Sequence, residues 1–466
     1  MPPIKETLLS PTASASEKMA ALKAKTIEVP AWGGVRGKGL VCEYDPSKHP
    51  VMDRAIYPDI VHDSVLTPVT RVTCNLQQLA VKRMTELVSG IPIKRVYKPE
   101  NDKQKEIAEY MEKIFTRARI DSVNNERLTM LYAGCEVMTL WYAVESPNNI
   151  YGFPSSVKMR CRNFSPMQGD ELYPLFDEYG DMVAMSVAYT RKVGKKTVRY
   201  MDCYTEDHHF KYSNESGNFE EIENEDITIL KIPCIYTYRP TPIWENQSNK
   251  VYEIEWSLSR NGNYLRENSR PMFCVFADEQ LDYGNSPETN HAFKDVAQFP
   301  AGSSAQYITW QQAVDNLKFY VEQLRSLFFT ELQLPDWSYE KMSQQALSGE
   351  SRKQMFIDAQ LKVRDESGRL IEFFDREVNV VKAFLRQMLG EGYAGDIDAL
   401  EVEIQITPFS ITDEKDTIDL LIAANGGEAL ISQRESIEQL GWSTDVDKTL
   451  EEIQSQGMGD ALGLAQ

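Results

Sequence analysis

A helix-like stretch of about forty residues, from Glu350 to Leu389, sets the scale of any fold open to this chain. At ~1.5 Å of rise per residue it would span ~60 Å, well beyond the usual three or four turns of a globular-domain helix. Ser367-Gly368 falls inside it and is expected to interrupt it with a kink. The segments before it have an equally marked order. After Pro240 and Pro242, Lys250 to Ser269 reads as a helix, with Val251, Ile254, Leu258 and Leu265 on a seven-residue seam. Gly262 inside that helix costs ~1 kcal/mol of propensity, so packing has to hold it. Pro271 ends the helix, and 271–309 reads as an irregular insert with a short strand at each end. Trp310 to Phe329 is a second helix, with a seam of Val314, Leu317, Val321, Leu324 and Phe328. Beside the seam runs a charged row, Asp315, Lys318, Glu322 and Arg325, alternating in sign at steps of three and four. It reads either as a solvated face or as a contact between subunits. A loop through Pro335-Asp336-Trp337 to Leu347-Ser348-Gly349 leads into the long helix.

The first half is mixed. Asn75 is placed to cap a helix through Leu76, Leu79, Met84, Leu87 and Val88, with Gly90 as a left-handed stop and Pro92 beyond it. A second helix is expected after Asp102, with Ile107, Met111, Ile114 and Phe115 on one face. A third is expected from Asp121 to about Tyr132, ended by Gly134. From Glu136 the pattern turns to short β-branched and aromatic runs: EVMTLWYAV, ELYPLF, MVAMSVAYT, TVRYMDCYT and HFKYS. The turns between them, at 177–181, 193–196 and 213–218, predict an antiparallel meander. EVEIQI at 401–406 reads as a strand. From Thr412 onward the chain is helical, with breaks at Gly426-Gly427 and Gly441, and carries twelve acids against three bases.

A 466-residue chain exceeds one simple core, so two to four units are expected. No run approaches the ~18 apolar residues of a membrane span, and no membrane partner is expected. The opening segment MPPIKETLLSPTASASEKMAALKAKT lacks an apolar core of signal-peptide length and reads as a mobile arm. The net charge of -20 argues against tight wrapping of nucleic acid, although an acidic wall would let a strand slide past. Seven scattered cysteines, none spaced C-x-x-C, fit reduced thiols rather than a disulfide framework or a zinc site.

The tests for chemistry are negative. Gly33-Gly34-Val35-Arg36-Gly37-Lys38-Gly39 has the wrong spacing for a phosphate loop and no hydroxyl after the lysine. There is no G-x-S-x-G elbow. Asp207-His208-His209 resembles a metal-phosphoesterase string, which keeps a metal-dependent hydrolase as the alternative reading. On a strand, however, His208 and His209 would point to opposite faces, away from a common metal. The expectation is a non-enzymatic structural protein with no cofactor and no metal.

The order of elements resembles the portal proteins of long-tailed bacteriophages. The strings that carry the resemblance are Asn75 through Ile93, LYAGCEVMTLWY at 131–142, Pro174-Leu175-Phe176-Asp177 and the 331–349 loop. To these are added Ile406-Thr407-Pro408-Phe409 through Ile431-Ser432, and Asp445 through Ile453. The insert at 271–309 carries no matching string. The resemblance implies an α+β, multi-domain portal fold, with long stem and wing helices and an antiparallel meander in the wing. It divides the chain into an N-terminal arm (1–30), wing (31–249), stem helix (250–270), clip (271–309), stem helix (310–329), tunnel loop (330–349), wing (350–411) and crown (412–466). It also implies a dodecameric ring at one capsid vertex of the virion, assembled in the host cytoplasm, through which double-stranded DNA passes without sequence-specific contact. Its implied partners are the terminase large subunit, head-completion or adaptor proteins, the major capsid protein and a scaffolding protein. On this reading Lys341, Gln344, Gln345 and Ser348 lie near the DNA, and Asp315, Lys318, Glu322 and Arg325 make inter-subunit contacts. A viral ring without a DNA channel is the remaining alternative.

Overall fold

A computed structural model of the chain describes residues 4–27, 29, 35–62, 65–268, 272–276, 304–308, 314–336, 356–409, 414–425, 431–440, 443 and 446–463. The helices are α1 (Ile4–Leu9), α2 (Ala15–Leu22), α3 (Val35–Tyr44), α4 (Leu76–Ser89), α5 (Asp102–Arg117), α6 (Ile120–Gly134), α7 (Ser248–Asn268), α8 (Val314–Glu331), α9 (Ile357–Leu389), α10 (Glu391–Ala399), α11 (Glu414–Asn425), α12 (Gln433–Leu440) and α13 (Val446–Gly463). The strands are β1 (Ile60–His62), β2 (Val65–Thr67), β3 (Lys94–Lys98), β4 (Glu136–Asn148), β5 (Ser155–Phe164), β6 (Glu171–Phe176), β7 (Met182–Val193), β8 (Lys196–Tyr204), β9 (His208–Ser213), β10 (Glu220–Asp226), β11 (Cys234–Tyr238), β12 (Met272–Phe276), β13 (Ser304–Ile308) and β14 (Glu401–Gln405). The fold mixes helix and sheet as expected.

The layers follow from strand alternation. In β4, Val137 and Trp141 face a large core built with α4, α5, α6 and α9. Their neighbours Met138 and Leu140 face the other way, into a second core shared with Met185, Val187 and Tyr189 of β7. The opposite face of β7, through Ala184 and Ala188, joins Met201, Cys203, Phe210 and Tyr212 in a third core. The order is therefore helices, a three-stranded sheet (β11-β4-β5), a five-stranded antiparallel meander (β10-β9-β8-β7-β6) and an outer helical cover. Both sheets are buried on two faces, which explains why β4 and β7 each contain six consecutive buried residues.

The outer cover corrects the expectation of a mobile arm. Ile4, Leu8 and Leu22, on α1 and α2, are buried against the meander. A capping box at Ser14 and Glu17 starts α2. Thr26 then continues along the edge strand β6, donating its backbone N–H to the Pro174 carbonyl at 2.9 Å.

Strands β6 to β9 of the meander are as expected, but the β4 run read with them belongs to the separate β11-β4-β5 sheet, and β10 joins as an unforeseen edge. The short strands expected at the two ends of the insert, β12 and β13, are present and pair antiparallel. Three local expectations fail. Gly90 is right-handed (φ −65°), and glycine is needed there for close approach: a Cβ would lie 3.3 Å from the Phe409 ring and 2.4 Å from the Glu86 carbonyl oxygen. Asn75 makes no side-chain capping bond. The third helix does end at Gly134, as expected, with Cys135 after it in the left-handed region at φ 65°. The long helix begins at Ile357 among the described residues and runs through Ser367-Gly368 without a break. The Ser367 hydroxyl donates to the Arg364 carbonyl at 2.6 Å, and among the described residues nothing packed against the helix lies within 4 Å of where a Cβ on Gly368 would stand.

At the centre of the helical layer lies a fully buried ion pair. Arg127 of α6 donates two 2.7 Å hydrogen bonds to Glu377 of α9, one to each carboxylate oxygen. Trp141 Nε1 donates to the same carboxylate at 3.0 Å, and Arg95 of β3 stands 3.8 Å from it. Burial alone would raise the Glu377 carboxyl. The Arg127 charge and its hydrogen bond, with help from Arg95 and Trp141, outweigh that and hold it below the ordinary carboxylate range. One carboxylate thus joins α6, α9, β3 and β4.

Candidate functional site: a helix pair and the root of a loop

α7 and α8 lie side by side and antiparallel. The start of α7 meets the end of α8, where Lys250 pairs with Glu331 at 2.7 Å and Gln247 donates to it at 3.0 Å. The β12–β13 ribbon lies between them in sequence. Tyr320 adds a hydroxyl bond to Glu253 at 3.3 Å.

The apolar seam predicted for α7 holds for Val251 and Ile254, weakens at Leu258, and fails at Leu265, which is 52% exposed. A polar column replaces it. Glu255, Ser259 and Asn263, four residues apart, accept the backbone N–H groups of Cys74, Val72 and Thr70 in turn. Four helical residues rise ~6 Å and two extended residues rise ~6.6 Å, so the column matches alternate amides of an extended segment running the other way. The column explains Gly262: a Cβ there would come within 2.7 Å of the Thr70 methyl group. The E-x-x-x-S-x-x-x-N spacing was visible in the sequence, but the sequence does not reveal the segment it receives.

Glu255 also holds His49 at 2.6 Å through Nδ1, while His49 Nε2 faces the Glu43 carbonyl at 2.9 Å. A carboxylate and a carbonyl both accept, so both ring nitrogens donate and His49 is an imidazolium, completely buried with its partner. Burial acts to lower its pKa. The hydrogen bonds to Glu255 and the Glu43 carbonyl, with the charges of Glu255 and Asp45, outweigh that and leave it raised. The Glu43 carboxylate is turned away, accepting hydrogen bonds from Trp244 Nε1 at 2.9 Å and the Ser248 hydroxyl at 2.8 Å.

α8 presents a different face. Leu317, Val321 and Leu324 are half-buried and Phe328 is buried, whereas Phe319 (60%), Tyr320 (42%) and Leu327 (45%) stand open. The Val314 side chain lies outside the described residues. In the charged row, Lys318 and Glu322 approach to 3.9 Å and Asp315 is exposed. Arg325 is turned inward to Asp336, at 3.1 Å.

That contact fixes the root of the loop. Arg83 of α4 donates to the Pro335 carbonyl at 2.6 Å and to Asp336 at 3.2 Å, and its guanidinium lies 4.3 Å from the Phe329 ring centre. Burial would raise the Asp336 carboxyl, but Arg325 and Arg83 outweigh it and leave it lowered. Leu332 and Leu334 are buried, and Lys362 of α9 donates to the Leu332 carbonyl. On the far side of the loop Phe356 is buried at the start of α9. Lys341, Gln344, Gln345 and Ser348 fall within 337–355, outside the described residues.

The metal-like string does not assemble a site. Asp207 pairs with Lys5, and His208 contacts Asp207 at 3.2 Å and Asp226 at 3.3 Å. His209 stacks flat on Tyr204, with ring centres 4.5 Å apart, and burial lowers its pKa to about 4. Among the described residues, no group of three or more histidine, cysteine or acidic side chains is arranged to hold a metal. Among them, too, no helix is long and apolar enough to cross a membrane.

No curated protein matches the chain. Among solved structures, a chain of the virion of a native gene transfer agent particle is 10% identical and covers 92% of this chain and 98% of its own, with a TM-score of 0.41. A chain from the neck of the native gene transfer agent particle, computed with C12 symmetry, is 11% identical and covers 91% and 97%, also with a TM-score of 0.41. The model of the family described as "Phage portal protein, SPP1 Gp6-like" matches residues 43–461. With nearly the whole chain from α3 to α13 inside that match, this protein belongs to the SPP1 Gp6-like family of phage portal proteins.

Proposed function

We propose that this portal-family chain forms a dodecameric ring at one capsid vertex of a virion, assembled in the host cytoplasm, and that the genome enters and leaves through its axis. The family match over residues 43–461 carries this reading. The α7–α8 pair supplies the stem. Its open apolar side chains, Leu265, Phe319, Tyr320 and Leu327, would be covered by the same pair in a neighbour. The β12–β13 ribbon belongs to the clip, the docking place of the terminase motor and later of head-completion or adaptor proteins. The layered sheets and α9 form the wing, beside the major capsid and scaffolding proteins, and α11 to α13 form the crown. The loop rooted on Arg83, Asp336 and Arg325 is the tunnel loop, with Lys341, Gln344, Gln345 and Ser348 toward the DNA. Asp315, Lys318 and Glu322 remain candidates for contacts between stems. No reaction is assigned to the protein.

Light scattering on the purified full chain tests the ring. A mass near twelve subunits is expected, and a monomer at every salt concentration and protein concentration tried would end this reading.

A further inference from the structure

The β7–β8 hairpin outruns its sheet. β8 pairs with β9 only as far as Tyr200 opposite Ser213, and β6 reaches β7 only at Ala188 opposite Glu171. The Arg199 backbone still bonds to Asn214, its carbonyl accepting the Asn214 N–H at 3.1 Å and its N–H donating to the Asn214 side-chain oxygen at 3.3 Å. Beyond it, Arg191–Val193 and Lys196–Val198 pair with each other alone. Three residue pairs at ~3.4 Å each, with the turn beyond them, make a two-stranded ribbon reaching ~10 Å past its neighbours. In a chain of net charge -20, the segment from Thr190 to Met201 carries Arg191, Lys192, Lys195, Lys196 and Arg199, and no acid.

The charge is distributed in a particular way. The register places Arg191 and Lys196 on one face of the ribbon, Lys192 and Arg199 on the other, and Lys195 in the turn. Arg191, Lys192, Lys195 and Lys196 are exposed and hold no ion pair among the described residues. Arg199 is engaged by Glu171 at 2.5 Å. The other nearby acid, Asp202, is buried and takes the Tyr189 hydroxyl at 2.9 Å. Arg191 lies over the Tyr189 ring at 4.9 Å, and Arg162 of β5 shares that ring at 5.6 Å. Arg160, exposed, and Lys158, half-buried, follow Arg162 at alternate positions of β5. Positive charge thus continues from the ribbon onto the neighbouring sheet.

We infer that this ribbon is a binding site for double-stranded nucleic acid, gripping phosphates without reading sequence, on the wall of the protein rather than in an axial channel. A flat acidic surface would meet one face of the ribbon. A ribbon positive on both faces suits a cleft with negative walls on either side, and the major groove of a duplex, ~12 Å wide, admits a two-stranded ribbon. The overall acidity of the chain confines such binding to this place. The rival partner on the same sheet is the edge strand β10, with five acids between Glu220 and Asp226, offered by a second copy. Its Glu223 is already bound by Lys211 and its Glu221 lies near Lys18.

The test uses the full chain and a relaxed, closed-circular duplex, which cannot thread through a ring. Four phosphate contacts per engaged ribbon predict a slope of about −3.6 in log K against log salt, or about 150-fold weaker binding between 50 and 200 mM salt. The combined substitution Arg191→Gln, Lys192→Gln, Lys195→Gln and Lys196→Gln is expected to abolish most of that affinity and slope, whereas Lys192→Arg, Lys195→Arg and Lys196→Arg together retain both. Unchanged circle binding by the Gln variant overturns the inference, as does absence of binding by the wild type at 50 mM salt. Loss of self-association by the Gln variant with circle binding intact overturns it in favour of the β10 partner. Neither result bears on whether the wild-type protein forms a ring.

Discussion

Replacing Glu377 is the most informative single perturbation of the helical layer. Its carboxylate receives both Arg127 nitrogens at 2.7 Å and Trp141 at 3.0 Å, and Arg95 stands at 3.8 Å, all with essentially no solvent. Glu377→Ala leaves Arg127 fully buried between Phe373 and Phe374, each ring centre 4.9 Å away, with no countercharge. Removing one partner of a buried pair costs about 3–5 kcal/mol. The pair itself is not worth that much, since replacing every charge by an apolar side chain of similar volume is often close to neutral. Arg127→Met with Arg95→Met and Glu377→Leu should therefore recover most of what Glu377→Ala loses. Denaturant unfolding followed by Trp fluorescence reads both, with Trp141 as a local reporter. Acid should act in the same direction as the mutation. A carboxyl held below its ordinary range stabilises the fold at neutral pH, and this contribution disappears as pH falls through the depressed value. A Glu377→Ala cost below about 1 kcal/mol, or a triple variant no more stable than the single one, would refute the reasoning.

Three further outcomes are expected. Gly262→Ala gains ~1 kcal/mol of helix propensity but drives a methyl to 2.7 Å from Thr70, which costs ~1–3 kcal/mol; a lower melting temperature is expected, reversed when Thr70→Ser removes the clashing methyl. The raised pKa of His49 means that its stabilisation is complete below about 6.5 and is lost as pH rises through the raised value, so the melting-temperature gap between wild type and His49→Gln should shrink with rising pH. A gap constant from about pH 5 to 9 would contradict this. Asp336→Asn removes the carboxylate that Arg83 and Arg325 share, and losing a charged hydrogen-bond partner costs about 1–3 kcal/mol, so amide exchange at Leu332–Leu334 should accelerate roughly 5- to 160-fold.

What the sequence disclosed, and what it concealed, depends on the range of the interaction. Ile107, Met111, Ile114 and Phe115 sit on one helical face and are all buried, because periodicity alone determines that face. Strands β6 to β9 were legible because each pairs with its neighbour across a marked turn, whereas β4, expected in the same meander, belongs to another sheet, and the acid-rich β10 carries no apolar alternation to mark it. The strands at 94–98, 155–164 and 234–238 carry no comparable local mark; the first finds its partner about 300 residues away in β14, and the last pairs with β4 across the whole meander. The N-terminal helices looked like a free arm because Ile4, Leu8 and Leu22 are too sparse to signal a core until the meander supplies the other half. Polar residues misled most. Glu255, Ser259 and Asn263 look like breaks in an apolar seam, yet they hold the 70–74 segment, and Arg325, read as an outward contact, is part of the loop root. Their partners lie 181 and 187 residues away in the first two cases but only 11 in the last, so turning direction, not distance alone, was the missing information.

Cryo-electron microscopy of the purified full chain tests the portal assignment most directly. The expected map is a closed ring with an axial channel wide enough for a duplex, α7 and α8 packed beside it, and Phe319, Tyr320 and Leu327 covered by the next subunit. A ring whose pore is too narrow for a duplex, or one that places α7 and α8 on its outer rim with those side chains still open, would contradict it.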